Sequence, residues 1–428
     1  FPLPEGSVLE RGRRLDELAQ EIEKWEPATL FERETPNSAL IFQAETEYNR
    51  IRSLMIAEQE ELDWAVYKLY GITEDDHSLP VSSVDGIELG QRPFEIALAR
   101  QVAAGETETA WFERHHSTPI AELPQGWSPE YAARVQQRLE LIESDRFINL
   151  LERPEYKRRW ATDPWEDKVN TALRDWLLTR LEDRGIWFDQ EGMPYPRSIA
   201  AISGIIEARP EYADVLAVLP LWSQKRDATT LEMLEDVLKG EAVPYLKALR
   251  YKASGLRKRA EWERTWEQQR EEDAGLREGK DVDVPPNYTS TDMYPEAWKH
   301  RGKLDVPKER FIAYPGAGSA EDPTDVIGWA GWDHLKQGLA IYRLFLERRE
   351  EEAPVEVQAA LLNGLQQELP WIMQWHNDID PATGERLGSY LTQHLEEHAH
   401  QLGIALEDLS QYNPARGRRR AKSKNKKK

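Results

Sequence analysis

The chain has 428 residues, of which 40% are apolar and 31% charged, with 16 tryptophans, no cysteine and a formal net charge of −21. That length allows two or three domains with real cores at roughly 150 residues each, while the lack of cysteine excludes disulfides, thiolate zinc sites and cysteine nucleophiles and suits a reducing cytoplasm. No run approaches the roughly 18–20 apolar residues of a membrane span, and no signal-peptide pattern follows the initial Phe1, so the sequence reads as a fragment or trimmed chain working away from membranes.

Helical patterning dominates in chain order. Leu15, Leu18, Ile22 and Trp25 recur at helical spacing, and Pro27 is expected to end that run. Ile51, Met55, Leu62, Val66 and Leu69 mark one face of a longer helix, with Gly71 at its C-cap. The stretch from Ser128, a good N-cap, predicts a helix running to about Leu151. Asp163 and Pro164 predict the start of another, with Gly185 at its end.

Further on, "PGAGSAEDPTD" (315–325) reads as a turn leading into a helix over Asp325–Ala340, and Phe311–Ile312 as a short extended segment before it. The tryptophan pairs Trp262/Trp266, Trp329/Trp332 and Trp371/Trp375 sit at helical spacing and predict core contacts. Alternating runs of strand length are scarce, and no repeat of fixed period is present. The fold class that follows is mainly α: multi-helical, in two or three helical subdomains joined by proline- and glycine-rich loops. Composition breaks divide it as 1–76, 77–273, a linker at 274–298, 299–412, and a basic tail at 413–428 that is too charged to bury.

The charge is unevenly spread. Arg416–Lys428 carries nine positive charges and no negative ones, so the rest of the chain sums to −30. An acidic body repels nucleic acid, and any contact with DNA must come from local basic patches or the tail. Residues 244–270 hold eight basic side chains against three acidic ones, with Tyr245, Tyr251, Trp262 and Trp266 interleaved. Arg250, Lys252, Arg257, Lys258, Arg259 and Arg264 are the candidates there for neutralising phosphates. The ordinary alternative is a solvated helix with Arg257–Glu261 and Arg259–Glu263 paired at i,i+4. In the second patch Arg301, Lys303, Lys308 and Arg310 are candidates, beside a Gly302 that permits close backbone approach. In the tail, Arg418, Arg419 and Arg420 would attract any polyanion without reading sequence.

Three stretches imitate catalytic motifs. "DVDVPPNY" (281–288) has the paired prolines of an adenine N6 methylation loop, but Val284 stands where the amine needs a polar acceptor. In "YPGAGSAEDP" (314–323) Pro315 removes one N–H, and Glu321, Asp322 and Asp325 would repel a bound anion. "HLEEHAH" (394–400) places His394 and His398 one turn apart, with only Glu407 and Asp408 downstream as further ligands. A solvated helix face is the reading for this stretch, with no metal.

Several longer phrases carry a family resemblance. "RIRSLMIAEQEELDWAVYKLYGIT" (50–73), "RPFEIALARQVAAGETETAWFERHHSTPI" (92–120), "LIESDRFINLLERPEYKRRW" (141–160), "YLKALRYKASGLRKRAEWERTWEQQREEDAG" (245–275) and "DPTDVIGWAGWDHLKQGLA" (322–340) resemble the C-terminal half of PglX-type enzymes. These are the adenine-specific DNA methyltransferases of type 2 bacteriophage-exclusion (phage growth limitation) systems. The resemblance runs from about residue 10 to about residue 412.

It implies a cytoplasmic role in phage defence, with double-stranded DNA, other phage-exclusion proteins and the chain's own upstream methyltransferase domain as partners. It also implies S-adenosylmethionine as cofactor of the full-length enzyme, bound outside this chain, and 1–76 as the segment following the catalytic domain. No catalytic or cofactor-binding residue is assigned here, and the chain alone is expected not to methylate. The other reading is a scaffold for phage-exclusion components that touches DNA little.

Overall fold

The computed structural model describes residues 7–80, 86–225, 227–277, 281–302, 308–379 and 384–414. Two compact units emerge, 1–176 and 177–428.

In the first unit, α1 (Ser7–Glu23) packs along the long α3 (Ser38–Leu69) through Leu18, Ile51 and Met55. Pro27 does not end α1. It opens the short α2 (Pro27–Phe31), where a missing N–H costs nothing and the fixed φ suits a first turn. Asn37 starts α3 by accepting the Leu40 N–H at 3.0 Å, and Gly71, at φ +67°, takes the left-handed cap expected of it. Next come α4 (Pro93–Ala103), α5 (Trp111–Arg114) and α6 (Pro129–Ser144).

Ser128 caps α6 as expected, accepting the Tyr131 N–H. The helix then breaks before Leu151. The Asp145 carboxylate accepts the N–H groups of Phe147 and Ile148 at 2.8 and 3.0 Å and starts α7 (Arg146–Leu151). A short carboxylate bonding its own backbone outcompetes helix continuation. The core joins Ile56, Trp64, Ile96, Tyr131, Val135 and Leu139.

The division between units falls within α8 (Trp165–Leu181). Gly185 does not end this helix. It lies inside α9 (Arg184–Trp187), which Asp183 caps by accepting the Gly185 N–H at 2.8 Å.

The second unit continues with β1 (Arg197–Ser198), α10 (Ile199–Ala208), α11 (Ala213–Ser223), α12 (Thr230–Leu238), β2 (Ala242–Pro244), α13 (Lys247–Arg250), α14 (Ala253–Asp273) and α15 (Pro295–Lys299). Then follow β3 (Phe311–Ala313), β4 (Val326–Trp329), α16 (His334–Glu350), α17 (Val355–Trp375) and α18 (Leu387–Gln401). The fold is mainly α, with a small four-stranded sheet in the order β1-β4-β3-β2. β4 runs antiparallel to β1 and β3, with Ile327 opposite Arg197 and Trp329 opposite Phe311. β2 is parallel to β3, with Ala242 opposite Phe311.

The extended reading of Phe311–Ile312 is thus met by β3. The helix expected over Asp325–Ala340 is not: β4 occupies its first part, and α16 begins at His334, with Asp333 accepting the Lys336 N–H at 2.9 Å. Strands of two to four residues are too short to display alternation. Helices α16, α17 and α18 enclose the second core around Ile341, Phe345, Leu362, Leu365 and Leu391.

The reading of residues 394–400 as a solvated face also changes. His398 is buried against Phe345 and Tyr342, and its Nε2 lies 3.2 Å from the Tyr342 hydroxyl. Among the described residues, no helix is long and apolar enough to cross a membrane, and no group of three or more His, Cys, Asp or Glu could hold a metal ion.

Candidate nucleic-acid interface

The basic candidates cluster on α14 and the turns at its start. The backbone of Lys252 begins α14 by donating to the Asp292 carbonyl at 2.8 Å. This clamps the 287–294 backbone onto the first turn. Gly255 makes that approach possible, because a Cβ there would run into the same Asp292 carbonyl oxygen.

One face of α14 looks to solvent and carries Arg257, Glu261, Arg264, Glu267 and Glu271. Arg257 and Arg264 stand seven residues apart on it, and neither has an ion-pair partner among the described residues. The expected Arg257–Glu261 pair is absent from the described residues, whereas Arg259–Glu263 forms at 3.0 Å. The face alternates in sign and is not basic in sum.

The basic surplus of α14 is turned inward. Lys258 donates to the Asp292 carboxylate at 2.7 Å and to the Asn287 carbonyl at 2.8 Å. The Lys258 ammonium, together with the Ser254 and Thr289 donors, holds the Asp292 carboxyl far below the usual carboxylate range. The Arg259 guanidinium lies 4.0 Å from the centroid of the Trp262 ring, and Arg270 bonds the Gln374 side chain at 3.0 Å. Arg250, at the end of α13, pairs with Glu309 at 2.8 Å and also donates to the Pro244 carbonyl.

In the second patch, Arg301 donates to the Tyr288 carbonyl at 3.2 Å and sits over Trp298. Arg310 pairs with Glu182 at 3.5 Å and bonds the Thr179 hydroxyl at 3.1 Å. Lys308 is exposed, with its backbone N–H held by His300. Lys303, Arg418, Arg419 and Arg420 lie outside the described residues. Among the described residues, the candidate cations left free to meet a phosphate are therefore Lys252, Arg257, Arg264 and Lys308. Arg250, Lys258, Arg259 and Arg310 act as internal ties.

The tryptophans of α14 are only half-buried. Trp262 and Trp266 meet Trp371 and Trp375 of α17 at ring-centroid distances of 5.2 Å (Trp262–Trp371) and 5.7 Å (Trp266–Trp375). Trp371 and Trp332 are core residues as expected, but Trp375 is 47% exposed. The spacing of the tryptophans identified the inward face, although the charge count alone did not show which cations flank it.

Residues 55–424 match a family described as "Domain of unknown function (DUF7008)". The chain belongs to the DUF7008 family. This DUF7008 chain is also 41% identical, over 439 aligned residues, to "Adenine-specific methyltransferase PglX" of Streptomyces coelicolor. That alignment covers 99% of the chain and 35% of the relative, in the C-terminal part of the latter. The resemblance carried by the quoted phrases is thereby borne out. No solved structure matches the DUF7008 chain.

Neither loop that imitates a methyl-transfer element fits one. In the glycine turn, Gly316 takes φ +81° and packs on Pro414, where a Cβ would come within 2.9 Å of the proline ring. The Asp322 carboxylate beyond it is consumed by the Thr324 hydroxyl at 2.6 Å and by Ser198. In the "VPPNY" stretch, Val284 is 89% exposed, and Tyr288 lies against Tyr251 with ring centroids 5.3 Å apart. These residues do not fit S-adenosylmethionine, and no step of methyl transfer follows from them.

Proposed function

We propose that this chain is the C-terminal accessory region of a PglX-like adenine-specific DNA methyltransferase acting in phage defence. It engages double-stranded DNA in the cytoplasm while a catalytic domain elsewhere in the full-length protein binds S-adenosylmethionine and transfers the methyl group. The observation that carries this reading is the 41% identity to PglX across 99% of the chain. The free cations Lys252, Arg257, Arg264 and Lys308 supply the phosphate contacts, positioning DNA without reading its bases. The isolated chain is expected to transfer no tritiated methyl group from the sulfonium donor to DNA.

Salt titration of duplex binding tests the reading. Each neutralised phosphate steepens the dependence of log affinity on log salt by about 0.9, so reversing Arg257 and Arg264 together should flatten it measurably. A second reading, a scaffold for other phage-exclusion proteins, is favoured by the internal pairing of most candidate cations. It wins if the only change that abolishes duplex binding is deletion of 416–428.

A further inference from the structure

A cavity of about 550 Å³ opens in the second unit beside the inward face of α14. Its volume falls within the range of roughly 300–1,000 Å³ typical of small-molecule sites. The polar lining has one sign in excess. Lys247, Arg250, Arg259 and Arg301 face it against the carboxylates Glu263, Glu309 and Glu368.

Those carboxylates are already engaged. Glu263 accepts from both Lys247 and Arg259 at 3.0 Å, Arg250 takes Glu309, and His334 Nδ1 lies 2.6 Å from Glu368. One carboxylate shared by two cations leaves positive charge that an anion would satisfy.

The remaining lining is aromatic. Trp371 and Trp375 are stacked at 5.4 Å, with His334 parallel to Trp371 at 5.6 Å, and Tyr251 and Tyr288 belong to the same cavity. Trp375 stands half in solvent, an exposure that an indole seldom takes without a partner. The cation excess disfavours a quaternary ammonium guest. A bare phosphate needs no rings, and an apolar guest would cost the lining cations hydration without adding the negative charge that the shared Glu263 leaves wanting.

We infer that this cavity is a binding site for a nucleobase carrying a phosphate, the base stacking on the Trp371–Trp375 group and the phosphate meeting Lys247 and Arg259. Such a ligand comes either as a free mononucleotide or as an unpaired base of a single strand, and both present the same ring and anion. The inference stands apart from duplex engagement, since the cavity and the exposed cations Arg257 and Arg264 do not share residues.

The test is calorimetric titration of the full chain with adenosine 5′-monophosphate, a short single-stranded oligonucleotide, adenosine and ribose 5-phosphate. Saturable binding of the mononucleotide or the strand is expected, with adenosine weaker and ribose 5-phosphate silent. Binding of the mononucleotide assigns a free ligand, and binding of the strand alone assigns an unpaired base. Trp375→Ala, at an exposed position that leaves the core intact, should weaken binding about tenfold, the loss of one aromatic stack, and Lys247→Ala should weaken it independently. The inference is overturned if neither nucleotide probe binds saturably at millimolar concentration. Binding that both variants leave unchanged, with their melting temperatures preserved, overturns it equally. Unaltered duplex affinity and salt slope in a charge-reversed Arg257/Arg264 variant, with nucleotide binding retained, would count against the proposed function alone.

Discussion

Lys157 Nζ lies 2.8 Å from Glu152 Oε1, and both side chains are shut off from solvent. The ammonium also meets Asp63 at 2.8 Å and Glu60 at 3.6 Å, so one cation serves three carboxylates inside the first unit. Burial alone would push Lys157 toward neutrality, but Glu152, Glu60 and Asp63 outweigh it and raise its pKa well above the ordinary lysine value. Nearby, Arg138 and Glu61 meet at 2.6 Å and Arg11 and Glu58 at 2.7 Å, all of them buried. The helices of this unit are joined by ion pairs as well as by apolar contact.

Removing the cation leaves buried carboxylates without compensation. Lys157→Ala should therefore destabilise the protein by about 3–5 kcal/mol, the usual cost of breaking one side of a buried pair. Denaturant unfolding followed by tryptophan fluorescence measures it. The double variant Lys157→Met with Glu152→Gln should recover part of the loss. If the double variant is no more stable than the single one, the carboxylates are not the source of the cost.

Glu152 makes the same cluster sensitive to pH. Burial, with Glu60 adding to it, raises its pKa from 4.5 to about 7, against the pull of Lys157. Its Oε1 accepts from the Tyr67 hydroxyl at 2.7 Å, while its Oε2 is buried with no partner among the described residues. A folded-state value above the unfolded one means that the folded chain holds the extra proton. This stabilisation is complete below the unfolded value of 4.5 and is lost as the pH rises through about 7. Unfolding free energies should fall across that window by at most about 3 kcal/mol, and Glu152→Gln should flatten the profile. A profile that rises with pH in the wild type but not in the variant would reverse the assignment.

Gly255 gives a prediction opposite in sign to helix propensity. Alanine is the better helix former by about 1 kcal/mol, yet a Cβ at 255 would drive into the Asp292 carbonyl, which the Lys252 N–H fixes in place. Gly255→Ala should be net destabilising, since forced overpacking costs about 1–3 kcal/mol. Gly12, in α1, offers open space to a Cβ, with no described atom within 4 Å of where it would sit, so Gly12→Ala should stabilise. Melting temperatures of the two variants, shifted in opposite directions, would bear this out.

Much of the helical framework was legible because long amphipathic runs repeat their signal: Ile51 and Met55 pack on α1, and Ser128 and Gly71 cap where they should. Boundaries failed where a short side chain formed a competing local bond, as Asp145 and Asp183 do. The sheet stayed hidden because β1 to β4 are each too short to show a period, and their partners lie far apart in sequence. For the candidate interface, a sum of charges over residues 244–270 has no direction. The stripe Trp262/Trp266 supplied that direction, placing Lys258, Arg259 and Arg270 beside the inward face and Arg257 and Arg264 away from it. The cavity was out of reach for another reason: Tyr251, Tyr288, His334 and Trp375 come from four separate stretches that only folding brings together.

The inward and outward cations of α14 should separate cleanly in experiment. Lys258 and Asp292 tie the helix to the 287–294 segment, and Asp292 is almost fully buried. Lys258→Glu would set two carboxylates against each other there, so its melting temperature should drop, and any loss of DNA affinity should follow the unfolded fraction. Arg257 and Arg264 hold nothing in place among the described residues. Reversing both should leave the melting temperature unchanged and lower duplex affinity most at low salt. The slope of log affinity against log salt should become shallower by about 1 for each phosphate no longer neutralised. A double variant with unaltered affinity at every salt concentration would take α14 out of the DNA interface. The phosphate contacts would then have to come from Lys252, Lys308 or the tail.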